Sequence, residues 1–93
     1  MSGDRFSSVW DAIESDPAEA ATLKVRAELM RAIEAHIRRK RWTQTEAAKR
    51  LGVAQPRVSD LMRGKINLFS LDTLYTMANT IGLRTELHIG EAA

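Results

Sequence analysis

The chain has 93 residues, room for one compact domain and a short appendage, and at that size oligomerisation is a natural source of added stability. It contains no cysteine, which excludes disulfides and thiolate metal sites, and its apolar content of 44% is ordinary for a globular domain. The formal charge is only +2, yet it is segregated: Arg38, Arg39, Lys40, Arg41, Lys49, Arg50, Arg57, Arg63 and Lys65 face only Glu46 and Asp60 in the same stretch, while the flanks are acidic. A basic segment of this kind is an electrostatic footprint for a polyanion.

Residues 1–15 form a weakly patterned N-terminal segment in which Phe6, Val9, Trp10 and Ile13 are the large apolar groups. Phe6, Trp10 and Ile13 stand at helical spacing, which predicts a short amphipathic turn. Asp16-Pro17-Ala18-Glu19 reads as a helix start, with a capping Asp, a Pro suited to the first helical position and an acid near the positive dipole end. Good helix formers then run without Gly or Pro to about Lys40, and Leu23, Ala27, Met30, Ile33 and Ile37 make one apolar stripe. The cations Arg38–Arg41 suit the end of that helix.

Thr43-Gln44-Thr45-Glu46 is a capping box, in which the Thr43 hydroxyl and the Glu46 carboxylate satisfy backbone donors reciprocally. The helix it starts is short, because Gly52 after Leu51 supplies a left-handed closing residue. A third helix begins near Ala54-Gln55-Pro56 and stops at Gly64. Ser70 caps a fourth, with Phe69 and Leu74 placed as a hydrophobic staple, and Gly82 closes it. In residues 83–89, Leu83, Thr85, Leu87 and Ile89 alternate with Arg84, Glu86 and His88, the period-two pattern of a half-buried strand. The domain itself is expected over 16–82, with the strand and tail at 83–93.

Two short helices joined by a glycine turn pack the core of many proteins, so the outward face of the second decides what they do. On that helix Val58 and Leu61 share one side and suit burial against Ala47, Ala48 and Leu51. Gln55, Pro56, Ser59, Asp60 and Arg63 occupy the other, with Arg57 on its flank. Gln pairs with adenine edges, Arg with guanine, and Asp accepts from cytosine. The small alanines allow close helix approach, which is what a helix entering the major groove requires.

Residues 43–64, extended to Lys65, resemble the Xre/Cro/CI-type helix-turn-helix: Gln44 at the start of helix two, Ala47-Ala48 within it, Leu51-Gly52 at the turn, Gln55 with Val58-Ser59 in helix three, and Gly64 after it. The resemblance implies a lambda-repressor-like all-α bundle of four to five helices. It implies that Gln44 donates to a phosphate, that Gln55, Arg57 and Asp60 face bases, and that Ser59 and Arg63 meet phosphates or bases. Lys65 and Asn67 would clamp the backbone beyond, and Thr43 and Pro56 complete the contacting set. Pro56 stands where the phage proteins can carry a base-reading polar residue, so no operator code transfers with the motif.

Ser8-Val9-Trp10-Asp11-Ala12, Leu29-Met30, Gly64-Lys65-Ile66 and Phe69-Ser70-Leu71 are similar to the HigA-type antitoxins. That family implies a homodimer that represses its own operon and neutralises a RelE/HigB-like toxin. The alternative is a stand-alone Xre-family repressor with no toxin. An enzyme is not expected, because the sequence lacks a paired-carboxylate motif, a nucleophile with a His partner and a glycine-rich phosphate loop. His36 and His88 lie in no ligand motif, so neither a metal nor a cofactor is expected. No apolar run nears the ~20 residues that span a bilayer, and the first residues lack the apolar core of a secretory signal. The expectation is a cytoplasmic protein whose partners are an operator duplex and a second copy of itself. A lone strand cannot satisfy its own ladder, so Leu83, Thr85, Leu87 and Ile89 are expected to pair with the same strand of that copy.

Overall fold

A computed structural model describes residues 17–91 and shows four α-helices there, α1 (Pro17–Lys40), α2 (Gln44–Leu51), α3 (Gln55–Met62) and α4 (Leu71–Thr80), with a 3₁₀ turn at Ile66–Leu68. The expected amphipathic turn at Phe6, Val9, Trp10 and Ile13, and the Asp16 cap, lie outside the described residues. One buried cluster joins every helix. Met30, Ile33 and Ile37 come from α1, Ala47, Ala48 and Leu51 from α2, Val58 and Leu61 from α3, and Leu74, Met77 and Ala78 from α4, with Phe69 inserted between α3 and α4. Of the stripe expected on α1, the last three positions are buried and Leu23 and Ala27 are half-buried.

Local chemistry fixes where the elements begin. Thr43 Oγ1 accepts the Glu46 N–H at 3.1 Å and Ser70 Oγ accepts the Thr73 N–H at 3.1 Å, each satisfying a donor that the first helical turn leaves without a partner. The expected capping box is formed by one arm: the Glu46 carboxylate takes the Arg50 guanidinium at 3.1 Å, four residues on. Phe69 and Leu74, either side of the Ser70 cap, are both buried, as the staple requires.

All four helices close alike. The N–H of Trp42 reaches the Ile37 carbonyl, Val53 reaches Ala48, Lys65 reaches Asp60 and Leu83 reaches Ala78, each across a residue in the left-handed region. Three of those residues are Gly52, Gly64 and Gly82. The fourth is Arg41 at φ 57°, which pays the steric penalty of a Cβ in that conformation. With it, Trp42 folds back onto the core beside Ile37.

The C-terminal strand is not formed. Among the described residues, those after Gly82 form no strand, because a ladder needs a second strand and the single chain offers none. Leu83 instead packs against the core cluster, and the Asn79 side-chain amide donates to Thr85 Oγ1 at 3.5 Å. Leu87 and Ile89 are left 82% and 87% exposed.

Candidate nucleic-acid interface

The close approach of α2 and α3 rests on small and branched side chains. Ala47, Val58 and Leu61 are all wholly buried in the shared core, and Gly52 at φ 71° turns the chain between the helices. An added Cβ at Gly52 would meet nothing within 4 Å, so conformation rather than space calls for glycine there. Pro56 sits in the first turn of α3, where its missing N–H costs nothing.

This packing leaves the other side of α3 to solvent. Gln55, Pro56 and Arg63 are exposed, and Ser59 and Asp60 are half-buried. Thr43 and Gln44 stand exposed at the start of α2, where backbone N–H groups point outward and favour an anion, although the Thr43 hydroxyl oxygen is already taken up by the cap. Lys65 and Asn67 are exposed beyond the end of α3. The expected contacting residues are therefore all exposed or half-buried on α2, α3 and the turn that follows.

Besides Thr43, three of them are engaged within the chain. Arg57 is half-buried; its Nη1 donates to the Leu68 carbonyl at 2.9 Å, and its guanidinium lies 4.1 Å from the centre of the Phe69 ring. The Asp60 carboxylate lies 3.6 Å from the Lys65 ammonium, so a residue expected to face a base and one expected to clamp a phosphate neutralise one another.

Sequence reasoning missed three supporting residues. Trp42 meets His36 edge-on with ring centroids 5.3 Å apart and carries the Arg50 guanidinium 4.9 Å from its own ring, steadying α2 against the end of α1. His36 is buried, and the Arg39 Nη2 lies 3.0 Å from its Nδ1. A guanidinium only donates, so that Nδ1 accepts and the ring proton sits on Nε2. Burial, together with the charges of Arg39 and Lys40, holds this imidazole below its ordinary pKa. Arg26, on α1, directs Nη1 at the carbonyls of Phe69 (3.4 Å) and Ile66 (3.5 Å), while its Nε is buried without a partner. A lone Arg in a helix rich in charge gives no sequence signal for such a role. The Trp directly after a basic cluster at a helix end was the one signal that could have been read.

Among the described residues no helix is long and apolar enough to cross a membrane. Residues 13–90 match a helix-turn-helix domain family. No curated protein gives a significant match. A solved structure described as "Putative XRE Family Transcriptional Regulator" is 35% identical, covers 80% of this chain and 83% of its own, and superposes with a TM-score of 0.73. With α-helices and no strand among the described residues, a glycine-turned α2–α3 pair and a polar outer face on α3, the chain belongs to the helix-turn-helix domain family and to the XRE family of transcriptional regulators.

Proposed function

We propose that this protein is a sequence-specific DNA-binding repressor that works as a homodimer, represses its own operon and acts as the antitoxin of a RelE/HigB-like toxin. The observation that carries the DNA-binding part is the α3 surface. Val58 and Leu61 are wholly buried on one side, while the opposite side presents Gln55, Ser59 and Arg63 and no large aliphatic group. α3 enters the major groove, and Gln44, at the dipole end of α2, holds a phosphate beside it. The reading assigns no catalytic step to the chain.

The dimer is supported by Leu87, which stands exposed beside Val25 and Tyr75, by the exposed Ile89, and by the unpaired backbone of the alternating tail. Joining two tails about a two-fold axis covers these side chains and presents two copies of α3 to a palindromic site. The antitoxin role rests on the similarity to HigA-type sequences and on the acidic residues flanking the basic middle, which suit a basic toxin. Co-expression of the full chain with a tagged RelE/HigB-like protein encoded beside it tests that role. Recovery of a stable complex that blocks mRNA cleavage supports it. Operator binding with no complex leaves a stand-alone repressor.

A further inference from the structure

The turn Ile66–Leu68 carries Asn67 and follows Lys65; Ile66 packs against the core, but Asn67 and Leu68 are exposed and gain no such anchorage. Two guanidiniums from different helices hold it. Arg26 on α1 aims Nη1 at the carbonyls of Ile66 and Phe69, and Arg57 on α3 donates to the carbonyl of Leu68 at 2.9 Å. The Arg57 guanidinium also lies 4.1 Å from the centre of the Phe69 ring, and Phe69 is itself fixed in the core with 1% exposure. Arg57 thus spends one planar donor on the turn and its face on the aromatic ring, a pairing that a rigid fork makes and an ammonium does not.

We infer that Arg57 is a positioning residue: it does not read a base but ties the 65–69 turn to α3, so that Lys65 and Asn67 stand at a fixed offset from the reading face. The inference rests on the DNA-binding reading for its affinity consequence alone. The tie itself exists in the free protein and is open to measurement there. It accounts for an Arg on the recognition helix that is half-buried while Gln55 and Arg63 are exposed. Charge near the duplex is kept, but the group that meets DNA through Arg57 is the turn it holds.

The test uses the full chain and three variants, Arg57→Lys, Arg57→Gln and Arg26→Lys, each checked for its thermal transition. In the free protein, amide hydrogen exchange is read at Leu68 and Phe69. In binding, dissociation constants are read on a duplex selected from a random pool and on an unrelated duplex of equal length. Both Arg57 variants are expected to speed exchange at Phe69 by about tenfold, the loss of one charge-assisted hydrogen bond. They are also expected to weaken both duplexes by a similar factor, leaving their ratio within about twofold. Arg26→Lys should speed the same amides. Unchanged exchange in the Arg57 variants, or a ratio that collapses while exchange stays at its wild-type rate, overturns the inference and returns Arg57 to base reading. Should the parent chain prefer no duplex, the DNA reading fails and the exchange measurement still decides whether Arg57 holds the turn.

Discussion

Arg39 sets its Nη2 3.0 Å from Nδ1 of His36, so a permanent cation rests against an imidazole that is almost wholly buried at the end of α1. Protonating that ring would remove its acceptor, place a second charge beside the guanidinium and do so away from water. Burial is the largest cause of the lowered pKa, with Arg39 and Lys40 adding to it. In the unfolded chain His36 returns to its ordinary value near 6.5. The unfolded state therefore binds more protons below that value, and stability declines as pH falls. Denaturant midpoints between pH 7.5 and pH 5 should decrease in the parent and change less in His36→Gln. Parallel slopes in the two proteins would remove His36 from the account of acid sensitivity.

The closures of α1 and α2 make a pair of opposite predictions. Arg41 adopts φ 57° with a side chain, whereas Gly52 adopts φ 71° without one. Arg41→Gly should raise unfolding free energy by about 1 kcal/mol by relieving the left-handed strain, and Gly52→Ala should lower it by about as much. Chemical denaturation of both variants reads the signs directly. Destabilisation by Arg41→Gly would mean that the Arg41 side chain makes up for its backbone strain.

Much of this architecture was readable because helix ends obey local chemistry. Thr43, Ser70, Gly52, Gly64 and Gly82 mark starts and stops whose causes lie within a few residues. What escaped depended on which of several competing partners each side chain took. The contacts of Arg57 with the Phe69 ring and the Leu68 carbonyl, and of Asp60 with Lys65, had no signature in the motif. The Glu46 arm of the capping box lost to Arg50, a competitor four residues away. The alternation in 83–89 describes a strand only when another strand is present, so period two alone could not form one in a single chain.

The tail provides the test of assembly. Leu87 is 82% exposed, so Leu87→Pro should leave the helical domain folded while removing a ladder donor and an apolar contact. Sedimentation should show a dimer for the parent and a monomer for the variant, with affinity for a full palindromic site reduced by at least tenfold. A variant that remains dimeric would move the interface away from the tail.

The antitoxin reading makes Phe6, Val9, Trp10 and Ile13 a candidate toxin-binding or dimer-supporting face. Removing residues 1–15 should preserve the described helices and reduce neutralisation of the toxin more than operator binding. If neutralisation survives, the toxin contacts lie on the helical domain.

The central claim is that the outer face of α3 reads sequence while the start of α2 grips the backbone. The direct measurement compares Gln55→Ala with Gln44→Ala on a selected operator and on a random duplex, across a range of salt concentrations. Gln55→Ala should weaken the operator alone, by ~1–3 kcal/mol, the value of a bidentate base contact. Gln44→Ala should weaken both duplexes by a similar factor, since a phosphate contact carries no sequence information. Equal losses on both duplexes for Gln55→Ala, or a parent protein that binds the two alike at every salt concentration, would contradict the claim.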